Sequence, residues 1–444
     1  MSILFIITFL LIFSFSKQTT NTNEIIKIKF ETYWSKWKSD NKKVYNSISE
    51  ELTRKAIFLS NLKRINQLNS QRIDTDDAVF GINAFSDLKP EEFARRFNKI
   101  NLKSLKPKQT THYKLPVPSG EVPTQYSACL QNKLLGQNSS NNIDLCGGIV
   151  MDQGDCGNCY AVSNAHELQL KYANLTLTQR GKVEYEMFSP QQLMDCTENS
   201  YYCEGGTSDE PLMSSHYVVF EKDYPYISYS NTLVNNSCIH DKPTPMMVSF
   251  SLFDSAQNFE VLKRIIYHYG SFITSVKASS DWLYYHSGIY SHSCTKNVIT
   301  NHVIEVIGYG NQNGKEYLIA RNSWGKNWGI DGFIKISAKS LCGIGGDDGG
   351  MYPVSLVQHA DFSDIPKGVY GKKSYKQEVQ PKLYNGTDKY DIYEQFPEVS
   401  GNSFIDIIIN FIVTIALYVG LICWVICVIV ILVMSCVVIY LKKN

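Results

Sequence analysis

The chain has 444 residues, 44% of them hydrophobic, with 43 Lys and Arg against 42 Asp and Glu and a formal net charge of +1. Its basic side chains are scattered rather than gathered into a stripe, so no global field favours nucleic acid or an acidic partner. The length suits one large domain, or two ordinary ones, with flanking segments.

Ile3–Phe15 is almost wholly apolar, too short to span a bilayer, and runs into the small-x-small sequence Ser14-Phe15-Ser16 before Lys17. Residues 1–16 therefore read as a secretory signal peptide whose positive charge comes from the amino terminus alone. A buried helix is the competing reading, and the flanks oppose it. A polar, charged segment follows to about residue 105. Within it Glu50, Arg54, Phe58, Asn61, Ile65 and Asn69 fall on one ~100° stripe of a helix; such a mixed stripe also suits a plain packed helix. Gly81–Asp87 (GINAFSD) reads as a turn with a short extended piece, and Lys103–Gly120 as an exposed linker rich in Lys, Pro, Thr and Ser.

From Val122 to about residue 359 the chain reads as globular. Ala161, Ala165 and Leu168 repeat at helical spacing after Cys159, which predicts a helix beginning near that cysteine. HVIEVIGYG, KEYLIARNSW and GFIKIS are short, β-branched and punctuated by glycine, and predict strands. A helix-rich first half and a strand-rich second half suggest a two-lobed α+β protein. Residues 360–404, rich in Lys, Tyr and Asp, read as a stalk. Asn-x-Ser/Thr acceptors at Asn138, Asn174, Asn235 and Asn385 fit a lumenal globule and stalk.

Residues 405–441 predict a membrane span: Phe411–Leu441 carries no acid or base before Lys442 and Lys443, and the run exceeds what a ~30 Å hydrocarbon core requires. Basic residues prefer the cytoplasmic side, so 442–444 form a short cytoplasmic tail and the bulk lies outside or in a lumen. A GPI signal at Ser400-Gly401-Asn402-Ser403 is the rival reading; the tail's length and terminal lysines favour a true span. The expected location is the secretory pathway, as a single-pass type I protein of the cell surface or of a lysosome- or vacuole-like compartment.

Of twelve cysteines, Cys423, Cys427 and Cys436 lie in the predicted span, Cys436 being a weak palmitoylation candidate, and nine lie between Cys129 and Cys342. An oxidising compartment favours disulfides, and an odd number leaves one thiol free. QGDCGNCYA (Gln153–Ala161) contains a C-x-x-C pair, Cys156 and Cys159. A zinc site calls for a second pair at ligand spacing; Cys196 and Cys203 are seven apart, and no H-x3–5-H follows. A redox dithiol calls for a preceding strand in a small βαβ domain, whereas a long polar loop precedes this pair. A nucleophile fits better. Cys159 sits at a helix start, where unpaired N–H groups favour a thiolate. His302 can serve as its base and the Asn322 carbonyl can orient that base; the Gln153 amide and the Cys159 backbone N–H can meet a developing oxyanion. No metal and no cofactor is called for.

In this combination the chain resembles the papain-like cysteine proteases of the cathepsin L type. QGDCGNCYA resembles their active-site helix start, NHVIEVIGYG their histidine strand and RNSWGKNWGIDGF their asparagine–tryptophan motif; YYHSGIY (Tyr284–Tyr290) and CEGG (Cys203–Gly206) match as well. The helical stripe is similar to the ERFNIN pattern of the family's pro-regions, and GINAFSD to their second motif. With its apolar C-terminus the chain resembles the membrane-anchored protozoan (amoebic-type) members. The resemblance implies an inhibitory pro-region over 17–121, cut near 106–122 and favoured by acid, and a protease domain over 122–359. That domain would have a helical lobe and a β-barrel-like lobe, with the cleft between them. It implies Cys159 as nucleophile, His302 as acid and base, Asn322 as its orienter under a shielding Trp324, and Gln153 in the oxyanion hole. Gly205 and Gly206 would pair with an extended substrate beside Asn301. Protein and peptide substrates are implied as partners, with the chain's own pro-region and cystatin-type proteins as inhibitors. The alternative role is a surface binding or adhesion protein on a protease scaffold.

The resemblance also implies disulfides Cys156–Cys203, Cys196–Cys238 and Cys294–Cys342, with Cys159 free. Cys129 and Cys146 remain, and would close an inserted loop carrying Asn138; spacing leaves other partners open. Several positions depart from the family: Tyr160 replaces Trp, Asn158 replaces Ser, Asn301 stands where Asp is common, which could shift the pH profile, and Thr207-Ser208 replaces an aromatic. Counting forward from Cys342 puts Asp347 at the base of the S2 pocket, and counting back from Tyr352 puts Gly349 there. An acid at that point, Asp347 or Asp348, would favour Arg at P2; a solvated acidic loop is the other reading.

Overall fold

The computed structural model describes residues 30–361 apart from 100–116, 130–133, 136–142, 198–200, 212–216, 230–237, 240–245, 254–257, 293, 295–297 and 346–353. These all belong to one compact unit. Among the described residues no helix is long and apolar enough to cross a membrane. The predicted signal, most of the linker, most of the stalk and the 405–441 run lie outside them, as do Asn138, Asn235, Asn385 and Asp347.

Helix α1 (30–40) and helix α2 (Ile48–Ser70) pack Trp34 and Trp37 around Phe58, with ring centroids 5.2 and 4.7 Å from the phenylalanine. Ser47 caps α2 by accepting from the Glu50 N–H. The polar members of the mixed stripe on α2 reach backbone. Asn61 Nδ2 donates to Ser86 O and Leu88 O, both at 2.9 Å, and its Oδ1 accepts from Tyr284 OH at 2.8 Å. Asn69 exchanges two hydrogen bonds with Phe80, and Arg54 pairs with Glu92 at 2.7 Å. The stripe is thus a row of side chains that satisfy buried loop groups, which a purely apolar face could not do. Strand β1 (Val79–Phe80) follows, then helix α3 (Pro90–Phe93) and strand β2 (Tyr126–Ser127).

Helix α4 (Cys159–Arg180) begins at the cysteine, as its spacing predicts, and ends at Gly181, whose φ of 67° supplies a left-handed cap. It is buried on nearly every side, Asn164, His166, Glu167 and Gln169 included. Helix α5 (Pro190–Cys196) packs beside it, capped by Ser189. Next come strands β3 (Tyr217–Val218) and β4 (Met246–Phe253), helix α6 (Phe259–Tyr269) and strands β5 (Phe272–Val276), β6 (Tyr285–Ser287), β7 (Ile289–Tyr290), β8 (His302–Gln312), β9 (Lys315–Arg321), β10 (Phe333–Ser337) and β11 (Val354–Asp361). The main sheet runs β3-β4-β11-β5-β8-β9-β10-β7, with β2 also on β8; β10–β7 is its parallel pair. The β8–β9 hairpin turns at Asn313 (φ 53°) and Gly314 (φ 83°), the Asn-Gly pair that fits a type I′ turn.

Strand β8 is buried from His302 to Gly310, flanked by β5 and β9 and packed on α4. The N-terminal segment joins the rest of the globule by strand pairing: β1 pairs with β6, and Gly81 N–H donates to Tyr284 O at 2.8 Å. Disulfides link Cys129–Cys146, Cys156–Cys203, Cys196–Cys238 and Cys294–Cys342, and Cys159 is the free thiol among the described residues. Replacing Asn61 by Leu strands two carbonyls and the Tyr284 hydroxyl. The expected cost is about 3 kcal/mol in the docking of residues 30–99, read as a lower Tm of the full chain and faster proteolytic loss of that segment.

Candidate active site

Four discontinuous segments meet at the N-terminus of α4. Cys159 is its first residue, fully buried. Asn158 occupies the cap position without capping. Its Nδ2 instead donates to Tyr226 OH and contacts Met194 Sδ, both at 2.9 Å. The N–H groups of Cys159 and Tyr160 are thereby left to face the thiol, joined by the N–H of Val303. Tyr226 OH donates to Gln153 O at 2.8 Å, so Asn158 and Tyr226 together hold the Gln153 loop.

His302 opens β8, and its Nε2 lies 2.8 Å from Asn322 Oδ1. Its Nδ1 is buried with no hydrogen-bond partner among the described residues, on the strand whose next N–H reaches the thiol. Trp324 covers the pair: its ring centroid is 4.8 Å from the imidazole at 31°, and it is buried. Asn322 Oδ1 also accepts from Ser323 N–H at 2.8 Å, and Ser323 Oγ donates to Gln153 Oε1 at 2.5 Å. Ser323 thus couples the Asn322 amide to the Gln153 amide. Gln153 Nε2 is then aimed outward, donating to Arg96 O at 2.8 Å and to Cys156 O at 2.6 Å.

The Arg96 carbonyl belongs to a strap, residues 93–99, laid along the cleft. Phe93 packs on Trp324 at 4.8 Å, and Phe97 lies 6.0 Å from His302. Asn98 donates from its N–H to Asn301 O at 2.9 Å and from Nδ2 to Gly206 O at 2.8 Å; Lys99 N–H donates to Glu204 O at 2.9 Å. Arg96 is buried, bridges to Asp152 at 2.5 Å, and stacks over Phe85. Gly205 has a φ of 132°, and a Cβ on Gly206 would lie 2.8 Å from the Tyr160 ring, so both positions call for glycine. Asn301 turns its side chain away from the cleft, exchanging two hydrogen bonds with Ala278; its carbonyl is what meets the strap.

Burial shifts both titrating groups away from their ionised forms. Desolvation pushes the Cys159 thiol up to about 12, against the opposing pull of the three N–H groups. Desolvation likewise lowers His302 to about 4 from 6.5, although the Asn322 bond favours its cation. Burial thus disfavours the charged form of both groups. Cys129, Asp144 and Cys146 bring three ligand-type atoms within 4.8 Å, but the two sulfurs are bonded to each other.

The model for the papain family of cysteine proteases matches residues 146–350, and that for the cathepsin propeptide inhibitor domain (I29) matches residues 34–93. The chain is 31% identical over 330 residues to the viral cathepsin of Epiphyas postvittana nucleopolyhedrovirus, covering 71% of this chain and 90% of the relative. The chain belongs to the papain family of cysteine proteases. It is a cathepsin L-like proenzyme, and the strap continues directly from the residues matched as its propeptide domain. It is 26% identical over 328 residues to mouse cathepsin K, covering 71% of this chain and 91% of the relative. The digestive procathepsin L2 proteinase of Tenebrio molitor larval midgut shares the fold with a TM-score of 0.60 at 23% identity, covering 74% of this chain and 99% of that one.

The structure brings Cys159, His302, Asn322, Gln153, Trp324, Gly205, Gly206 and the Asn301 carbonyl together. Asn174 lies on the exposed face of α4, away from its N-terminus. Sequence reasoning missed Ser323, Tyr226 and the strap. Asn158 carried a signal for Tyr226, since an amide beside a buried nucleophile needs a partner; nothing local marked residues 96–99. With burial disfavouring the thiolate, Cys159 in the full chain should alkylate with iodoacetamide at pH 6 at least ~100-fold more slowly than in the processed form. Equal rates would contradict the role of the strap.

Proposed function

We propose that this papain-family proenzyme is a membrane-tethered endopeptidase in which Cys159 is the nucleophile and His302 the acid and base. Residues 1–16 direct it to the secretory pathway, 17–121 inhibit it, 122–359 carry the activity, 360–404 form a stalk and 405–441 span the membrane. In this it resembles membrane-anchored protozoan members, and it works at a cell surface or in a lysosome- or vacuole-like compartment. The observation that carries the catalytic part is Gln153 Nε2 at 2.8 Å from a propeptide carbonyl, beside Cys159 and the 2.8 Å His302–Asn322 pair. The strap stands where a substrate carbonyl would stand.

Once the strap leaves, water and the N–H groups at α4 favour the thiolate, and its proton resides on His302. The thiolate attacks the scissile carbonyl carbon, and the oxyanion takes hydrogen bonds from Gln153 Nε2 and Cys159 N–H. His302 protonates the departing amine as the C–N bond breaks. It then takes a proton from water, which adds to the thioester and releases the acid and the thiolate. Asn322 and Trp324 keep the imidazole aligned and dry.

Acid favours release. Covering lowers His302 from 6.5 to about 4. A form that keeps the ordinary value binds one more proton between those pH values, so the covered form loses ground as pH falls through that window. Asp347 at the base of S2 favours Arg at P2, and glycans on Asn138, Asn174, Asn235 and Asn385 face the lumen. Gln153→Ala is expected to lower kcat by about 10²–10³-fold, and Cys159→Ala to abolish both cleavage and labelling by a thiol-reactive epoxide. Arg-Arg substrates should exceed Phe-Arg substrates in kcat/KM; indifference to P2 charge would remove the S2 assignment. Loss of membrane retention on deleting 405–444, with activity kept, tests the tether.

A further inference from the structure

Away from the cleft, the propeptide grips the tip of the β8–β9 hairpin with an acidic turn, Asp74–Asp77. Asp76 is nearly buried, at 5% exposed. Its carboxylate accepts from Gln312 Nε2 at 2.5 Å and from Asn313 Nδ2 at 2.9 and 3.2 Å. Lys335 Nζ on β10 donates to Gln312 Oε1 at 3.3 Å, which leaves the Gln312 amide N–H turned toward the acid. Lys315 Nζ lies 3.0 Å from Asp77 and 3.2 Å from Asp74. Backbone pairing fixes the turn in place: Ile289 N–H donates to Asp76 O at 2.8 Å, and Ala78 N–H to Ile289 O at 3.1 Å. Gln312 ends the 11-residue strand that His302 opens, so the tip stands about 30 Å from the catalytic pair at a strand's rise per residue. Among the described residues Lys315 pairs with no other acid. Loss of the propeptide therefore leaves one cation and two amide donors converging on the hairpin tip.

We propose that this tip is an exosite for an acidic peptide segment, and that the Asp74–Asp77 turn is its resident ligand, keeping the severed propeptide on the enzyme. The proposal rests on the protease reading above, in which the chain is cut near 106–122. That cut lies beyond the turn and beyond β1, so it breaks no contact at the tip. The fit comes from groups fixed in one sheet: two amides that hold one carboxylate between them, and an ammonium that bridges two more. Hydrogen bonds to a carboxylate held out of water are strong, whereas the pairs of Lys315, itself 32% exposed, are partly screened by salt. A neutral or basic segment would leave these donors facing no acceptor.

The test uses the full chain carrying Cys159→Ala, nicked between residues 106 and 122 by a trace of acid-processed wild type, and measures how fast the propeptide fragment leaves near neutral pH. Lys315→Glu should speed its departure about tenfold, and Asp76→Ala by about the same factor. Adding Gln312→Ala to Asp76→Ala should change the rate by less than about twofold, because the two side chains share one contact. Raising salt from about 0.05 to 0.5 M should speed departure several-fold in the parent chain and not in Lys315→Glu. Rates within about twofold of the parent in both Lys315→Glu and Asp76→Ala overturn the exosite, as does full additivity of Asp76→Ala and Gln312→Ala or a parent rate unmoved by salt. A chain that the wild type cannot nick overturns the protease reading instead; trypsin at Lys108 or Lys114 then makes the cut, and the same comparison still decides the exosite.

Discussion

Cys159 stands on α4 and His302 on β8, so their separation depends on what lies between α4 and the β8–β9 pair. That position is held by Arg321, fully buried and directly before Asn322. Its Nε donates to Glu305 Oε2 on β8 at 2.6 Å, one Nη to Gln169 Oε1 at 2.8 Å and Ile149 O at 3.2 Å, and the other to His166 O at 2.6 Å. One guanidinium thus ties the nucleophile helix, the base strand and the loop before Gln153. Both charges are fully buried, so desolvation opposes much of their attraction; removing either partner alone would leave an uncompensated buried ion. What the pair supplies is position: a planar fork with fixed donors accepts few alternative arrangements.

The propeptide acts on a site that this clamp has already assembled. It contributes a strand to β6, a row of amides from α2 to buried loop groups, and a strap whose carbonyl accepts from the oxyanion amide. Inhibition is therefore both steric and electrostatic. Burial disfavours both the thiolate and the imidazolium, and it holds His302 below its usual value.

Much of the site was legible because its members sit at positions with local signatures. Cys159 follows a polar loop and starts a periodic helix, His302 opens a β-branched run, and Asn322 ends another. The Glu50–Asn69 stripe was legible as a helix face but not as to what it touched, because Ser86, Phe80 and Tyr284 come from other elements. Glu305 and Arg321 each interrupt an apolar strand, and an opposed pair could be suspected; their register became visible only in the sheet, where the two residues face each other across β8 and β9. Asn301 was read as a side-chain effect on the cleft, whereas its amide closes on Ala278 and leaves its carbonyl to the ligand.

By itself the sequence determined which reactive groups exist, their order, and which cysteine starts the helix, because propensity, periodicity and turn chemistry act over a few neighbouring residues. Tertiary structure decided everything that depends on exclusion of water or on contacts between distant segments. It placed Cys146 with Cys129, aimed Gln153 through Ser323 and Tyr226, laid the Lys99 ammonium on Glu204, and buried Cys159 and His302 so that their charged forms are disfavoured. Desolvation is set by atoms far apart in the chain, and no local pattern encodes it.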